Sequence, residues 1–335
     1  MSRTIAHLLA IAALMLPAVV RAEPTKLKLS FFTSDRSVAY QAAIKPFVEA
    51  INREGKDPLQ VEVYLSGALG KVQKGLPQLV LDGGTDITFI VPGQNPERLK
   101  DNAAIELPGL FRDAREATLV HTRLASIAAL AGYEDFFVIG AYGTDPETVR
   151  SRKLLTTLAG LKGQKIRTNN QTESTGLAVL GALPVVLAFN ETTPAISSGT
   201  IDGATAPTVQ LFDVGIGRLT SNHYLVPTST APLALVMSRK AFDRLPDEAK
   251  TLVRKYCGEW SAARFIEVYE KLSDDVLNQL RADPRRQVTV PSSADAKAAQ
   301  AAFSLIRKDW AAASPHNREL LAQAQVEMQK LRIDK

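Results

Sequence analysis

From Leu27 to Val91 the sequence switches repeatedly between two hydrophobic periods, and this restricts the fold more than any other feature. Leu27-Lys28-Leu29-Ser30-Phe31 alternates as a strand does, then ends at Phe32-Thr33-Ser34-Asp35, a loop with capping residues. Ser37 can cap a following helix on which Tyr40, Ile44, Phe47 and Ile51 share one face. Gln60 to Leu65 alternates again, with Val61 and Val63 on one side. A second helix is predicted from Leu69-Gly70-Lys71, with Leu76, Leu79 and Val80 inward and Asp82-Gly83-Gly84 as its stop. Thr85 to Val91 then reads as a buried strand. Strand, helix, strand, helix, strand is the order of a mostly parallel sheet, and the fold class is α/β.

Further along, Ala104 to Phe111 is apolar and broken by proline, Ala117 to Ala131 is a helix and Phe136 to Gly140 a strand. Between Tyr142 and Arg150 the character changes to a turn-rich crossover, and a return crossover is predicted at Pro232 to Met237. Between them fall a strand at Lys165-Ile166-Arg167, a helix over 172–180, a strand at Val185-Val186, a helical turn over 194–198 and a strand edge over 201–204. A helix is predicted from Pro246 to Leu280, with Phe265, Val268 or Tyr269, Leu272, Val276 and Leu280 on one face. At about 1.5 Å per residue it would be on the order of 50 Å long and would pack along both halves of the molecule. Gln287 to Val290 is a possible edge strand, and residues from Ser293 to Leu331 are mostly amphipathic helix.

The N-terminus carries Arg3, an uncharged apolar run from Leu8 to Leu16, Pro17, and the small residues Val20 and Ala22 around Arg21. This is the pattern of a secretory signal peptide cut after Ala22, since the apolar run is well short of the roughly 20 residues a bilayer requires. The expected location is therefore the periplasm, with the signal peptide removed. The one cysteine, Cys257, has no internal disulfide partner, so stability must come from apolar cores; 45% hydrophobic residues makes that feasible. A formal net charge of +5, with both signs interspersed, is no nucleic-acid footprint.

Catalytic signatures are poor. The sequence has no Gly-x-Ser-x-Gly elbow, no phosphate-binding loop and no paired-cysteine site, and its four histidines are scattered without ligand spacing. No cofactor and no metal is expected, and the chain is read as a non-enzyme. Arg167 is delivered where a strand gives way to loop, the edge that faces the ligand crevice in open α/β sheets. A planar guanidinium there can hold a carboxylate through two parallel hydrogen bonds; on the residue alone, a solvated surface ion pair is the better account.

Five segments, in order, shift that balance: Tyr64-Leu65-Ser66-Gly67-Ala68-Leu69-Gly70, Leu81 to Phe89, Leu107-Pro108-Gly109-Leu110-Phe111-Arg112, Leu161 to Arg167, and Gly199 to Pro207. Together they resemble the solute-binding proteins of tripartite ATP-independent periplasmic (TRAP) transporters, of the dicarboxylate-binding type. The resemblance implies a two-lobed periplasmic binding protein fold, a Venus flytrap, with a long helix spanning both lobes. Residues 23–142 and 232–264 would form lobe I, 143–231 and 265–335 lobe II, with the ligand in the cleft between them. It also implies closure over a small-molecule organic acid and docking on the small and large membrane subunits of a TRAP permease. Arg167 matches the arginine that typically pairs with the ligand carboxylate.

The departures from the family pattern point to the ligand. Ala206 stands where many members have asparagine, Phe32 ends the first strand and Val91 follows the third. The family's usual second arginine falls near Glu147 or Thr148, unless a small gap brings in Arg150. Less hydrogen-bonding capacity and more apolar wall favour an aromatic or other hydrophobic monocarboxylate, because a sugar acid or compact dicarboxylate would leave polar groups unpaired at about 1 to 3 kcal/mol each. The expected site is Arg167 as clamp, Phe32, Val91, Phe189 and Ala206 as walls, and Thr33, Ser34, Asn169 and Thr205 as secondary polar contacts. For Phe189 the alternative is packing within the second core. A dicarboxylate or keto acid, with Thr228 to Thr230 supplying polar contacts, is the runner-up; a periplasmic enzyme on the same shell, or a partner of a membrane sensor, are the competing classes.

Overall fold

The computed structural model describes residues 25–55 and 58–333, so the expected signal peptide lies outside the described residues. Its strands, in chain order, are β1 (Thr25–Ser30), β2 (Leu59–Tyr64), β3 (Ile87–Ile90), β4 (Phe136–Gly143), β5 (Thr148–Ser151), β6 (Lys165–Thr168), β7 (Leu183–Val186), β8 (Gly203–Ala206), β9 (Asn222–Tyr224), β10 (Pro232–Ser238) and β11 (Gln287–Thr289). They form two sheets, ordered β2-β1-β3-β10-β4 and β11-β9-β5-β8-β6-β7.

In the first sheet the β1-β2 and β1-β3 pairs are parallel, as the early alternation requires. The returning strand β10 lies antiparallel to both β3 and β4. All four residues of β3 are buried, which explains its unbroken apolar character. In the second sheet β6 runs parallel to β7 and β8, whereas β5 is antiparallel to β8 and β9. The chain therefore passes from one sheet to the other between β4 and β5 and returns between β9 and β10. The two passages run side by side: the Glu147 amide donates to Ser229 O at 2.7 Å, the Thr144 amide to Ala231 O at 3.1 Å, and the Thr228 amide to Glu147 O at 2.8 Å.

The helix expected from Leu69 starts later, as a 3-10 turn at Gln73–Gly75 that leads into Leu76–Leu81. The long helix is also shorter than expected. A first segment, Asp247–Lys255, is separated from Glu259–Ala282 by a turn at Gly258, which has φ 58° and ψ −124°. That conformation is open only to glycine, so the chain breaks there although no proline intervenes. The remaining 24 residues correspond to about 36 Å at 1.5 Å per residue. They still bridge the lobes. Phe265 and Tyr269 are packed in the core of the first sheet, while Leu280 belongs to the core of the second, with Val276 against it.

The chain beyond residue 264, expected wholly in lobe II, is divided instead. In Ser293–Ala312, Ala299 and Phe303 pack with Val149, Ile166 and Leu177 of the second lobe. In Pro315–Ile333, Leu320, Leu321, Ala324 and Met328 pack with Leu76, Val120 and Val236 of the first. The physical reason is the stripe itself: four apolar residues at helical spacing must be covered, and the outer side of the first sheet offers that cover. Arg332 fixes the end of this helix by a two-bond ion pair to Glu116, at 2.8 and 2.9 Å. Among the described residues no helix is long and apolar enough to cross a membrane.

Candidate functional site

The ends of β1, β3 and β6 point to the junction of the two lobes, and a small cavity lined by residues of both lobes lies there. The first lobe contributes Phe31, Phe32, Thr33, Gln73, Phe89 and Val91. The second contributes Glu147, Arg167, Asn169, Phe189, Gln210 and Asp213. Hydrogen bonds from the Val38 amide to Asp213 Oδ2, at 3.0 Å, and from Gln94 Nε2 to Asn169 O join the lobes across the cleft.

Arg167, the last residue but one of β6, is buried. Its Nε donates to Leu187 O at 2.9 Å, one Nη to Thr205 O at 3.4 Å and the other to Asn169 Oδ1 at 3.0 Å. Three of the five N–H groups of a guanidinium are thus engaged and two are left, one on each Nη. The Phe189 ring centroid is 5.7 Å from Cζ, a cation–π distance that also limits the rotation of the guanidinium. Burial draws the Arg167 pKa down from its ordinary value, and the nearby Glu147, Glu173 and Glu191 push it back up. Asn169 Nδ2 is buried without a partner among the described residues.

Three acids act on this arginine, Glu147, Glu173 and Glu191. Glu173 accepts from the Asn169 amide at 2.9 Å, Thr205 Oγ1 at 2.9 Å and Thr228 Oγ1 at 2.7 Å, so its oxygens are well satisfied behind the cavity wall. Glu147 Oε2 stands 4.0 Å from an Arg167 Nη and has no hydrogen-bond partner among the described residues. Burial, and then the proximity of Glu173, hold the Glu147 carboxyl well above the usual carboxylate range. Burial likewise raises Glu106 in the first lobe, and the nearby Glu173 and Glu147 raise it further. At the cleft, burial brings Asp213 up to about 7, while its bond from the Val38 amide works the other way. Among the described residues no group of three or more histidines, cysteines or acids is arranged to hold a metal ion.

Of the residues expected at the site, Arg167, Phe32, Thr33, Val91, Asn169 and Phe189 line this one cavity. Phe189 also packs against the second core, so the two accounts of it describe one position. Ser34, Thr205 and Ala206 lie elsewhere. Ser34 is exposed, and its carbonyl is engaged by the Ser37 amide and hydroxyl. Along β8 the side chains alternate: Ala204 and Ala206 enter the core with Ile196 and Ile216, whereas Thr205 faces the other way onto Glu173. Thr228 and Ser229 are likewise committed, to Glu173 and to Glu106 O. Arg150 is outside the lining, buried against Thr208 Oγ1 at 2.7 Å, and Nε and Nη1 have no partner among the described residues. Glu147, Gln210, Asp213, Gln73, Phe31 and Phe89 were not anticipated as lining. For Glu147 there was a signal, since Glu147 or Thr148 falls near the place of the family's second arginine.

The family model for "bacterial extracellular solute-binding protein, family 7" matches residues 29–313. The C4-dicarboxylate-binding periplasmic protein DctP of Rhodobacter capsulatus is 25% identical over 258 residues, which is 74% of this chain and 74% of that protein. Among solved structures, a TRAP solute-binding protein of Rhodoferax ferrireducens T118, in complex with copurified benzoate, aligns with a TM-score of 0.85 at 22% identity, covering 93% of this chain and 100% of that one. A marine metagenome TRAP protein specific for aromatic acid ligands, with 3-hydroxybenzoate, gives 0.84 at 22% identity over 92% and 99% of the two chains. One from Sulfitobacter sp. NAS-14.1 with bound β-D-galacturonate gives 0.78 at 18% identity over 89% and 99%. With its match over most of the length and its two-lobed architecture, the chain belongs to the family 7 bacterial extracellular solute-binding proteins, the solute-binding proteins of TRAP transporters.

Proposed function

We propose that this protein captures an aromatic or otherwise hydrophobic monocarboxylate outside the cytoplasm and delivers it to the small and large membrane subunits of a TRAP permease. The family is one of solute-binding proteins rather than enzymes. The observation that carries the ligand class is the composition of the cavity: one buried guanidinium with two N–H groups to give, and walls of Phe31, Phe32, Phe89, Val91 and Phe189. Such walls stabilise a ring by roughly 25 cal/mol per Å² of apolar area withdrawn from water, whereas hydroxyls of a sugar acid placed against them would go unpaired. The benzoate and hydroxybenzoate complexes of similar folds support the same class.

The test is thermal unfolding of the mature protein against aromatic, branched aliphatic, keto, sugar and dicarboxylic acids, with Arg167→Lys and Arg167→Ala beside the native chain. At a hundredfold excess over Kd a ligand stabilises by roughly 2.7 kcal/mol, a readable shift in Tm. Shifts with hydrophobic monocarboxylates that both variants lose are the expected result. Shifts only with dicarboxylates or sugar acids, or full response in the variants, would refute the assignment.

A further inference from the structure

The cavity has unused hydrogen-bonding capacity of two opposite kinds, close together. On the donor side are two N–H groups of Arg167, Nδ2 of Asn169 and Nε2 of Gln73, whose Oε1 is a neutral acceptor likewise without a partner among the described residues. On the acceptor side is Oε2 of Glu147, buried, without a partner, and 4.0 Å from the Arg167 guanidinium, beyond hydrogen-bonding distance. Buried groups in native proteins find partners. A ligand that carries only a carboxylate answers the donors and can meet Glu147 Oε2 only while that carboxyl keeps its proton.

Charge leads to the same place. Among the described residues Arg167 is the only cation in the lining, and Glu147 and Asp213 line the same cavity with it. Glu173 stands behind Arg167, and Glu106 in the first lobe is near enough to feel both Glu173 and Glu147. A bare carboxylate therefore needs the nearest of these acids, Glu147, to keep its proton, since like charges are costly in a low dielectric. A ligand whose carboxylate sits beside its own cation does not. Ammonium and carboxylate on one carbon are close enough together for one to reach Glu147 Oε2 and the other the Arg167 guanidinium, which stand 4.0 Å apart.

We propose that the solute is a zwitterion, an α-amino acid with an apolar or aromatic side chain, whose carboxylate takes the free N–H groups of Arg167 and Asn169 and whose ammonium is held by Glu147. The side chain then lies against Phe32, Phe89, Val91 and Phe189. This rests on the capture of a hydrophobic monocarboxylate by Arg167 and narrows it. Because burial and the neighbouring Glu173 raise the Glu147 pKa, the carboxyl holds a proton at neutral pH in the free protein. An arriving ammonium displaces that proton into solvent, whereas a bare carboxylate keeps it in place.

Isothermal titration calorimetry at pH 7, in two buffers of different ionisation enthalpy, tests this with L-phenylalanine and L-leucine against 3-phenylpropanoate and 4-methylpentanoate, the same skeletons without the amine. The amino acids are expected to bind at least tenfold more tightly and to release up to one proton. Glu147→Gln should abolish the release and erase or invert the tenfold preference. Should that variant fail to fold, the proton count of the native protein stands as an independent readout. Equal or tighter binding of the desamino acids, with no proton release, would overturn the zwitterion and leave the monocarboxylate reading intact. Binding of neither set, with dicarboxylates or sugar acids binding instead, would overturn both.

Discussion

Asp213 lines the cleft and accepts a hydrogen bond from the Val38 amide of the opposite lobe, so its protonation and the stability of the closed form are linked. Burial raises its pKa from 3.8 to about 7. Between those two values the folded chain holds a proton that the unfolded chain has lost, so the slope of stability with pH is negative there. The destabilisation is absent below about pH 4, grows through the interval and is complete above about pH 7. Three pH units at 1.36 kcal/mol each give an upper figure of about 4 kcal/mol, and partial solvent contact reduces this to roughly 2 kcal/mol. Asp213→Asn retains an acceptor for Val38 and removes the titration. Urea unfolding of both proteins at pH 4.5 and 8.0 isolates the effect, since every other titrating group is common to the pair. The variant should match the native protein at pH 4.5 and be about 2 kcal/mol more stable at pH 8.0. A stability difference that does not change with pH would refute the reasoning.

Thr205→Val removes the hydroxyl that donates to Glu173 and should cost about 1 to 3 kcal/mol in urea unfolding. Because Thr205 is outside the cavity lining, the order of ligand preference in a thermal-shift panel should not change; a changed order would return it to the site. Although burial opposes it, the hydrogen bonds from Arg332 and Arg112 hold Glu116 down at about 2, so its contribution is present above the unfolded carboxylate pKa and is lost as pH falls through about 2. Glu116→Gln should therefore destabilise at pH 7 by roughly 2 kcal/mol, given its half-exposed partners, and loosen the C-terminal helix in hydrogen exchange. Equal protection of residues 315–333 in both proteins would count against that anchor.

Much of the first sheet follows from periodicity because β1, β2 and β3 each carry enough alternation or apolar run to specify a strand, and the helices between them specify its direction. Arg167 was legible for the same reason: a glycine turn followed by a short strand sets where that side chain emerges. Phe32 and Val91 are strand-end residues of the same kind. Ser34, Thr205 and Ala206 were misplaced because proximity along the chain to a strand end says nothing about which face a side chain takes. A shift of one residue in a two-residue period moves a group from cleft to core, and that is what separates Ala206 from the lining. Gly258 was visible as a glycine, but its role as the break in the long helix depends on a backbone conformation fixed by the bond from its amide to Ile139 O at 2.8 Å.

The sequence by itself determined what local interactions determine: the α/β class, the passage out of the first sheet after Tyr142, the amphipathic C-terminal helices, and an arginine at a strand end; the return, expected at Pro232 to Met237, comes before those residues, which form β10. Tertiary structure decided what depends on contacts between segments far apart in the chain. It divided residues 265–333 between the lobes, because an apolar stripe is buried wherever a complementary face is open. It also set Glu147, Asp213 and Arg167 around one cavity, and so gave the site both a cation and acids. Their electrostatic behaviour arises from mutual distance and burial, quantities that no spacing along the chain encodes.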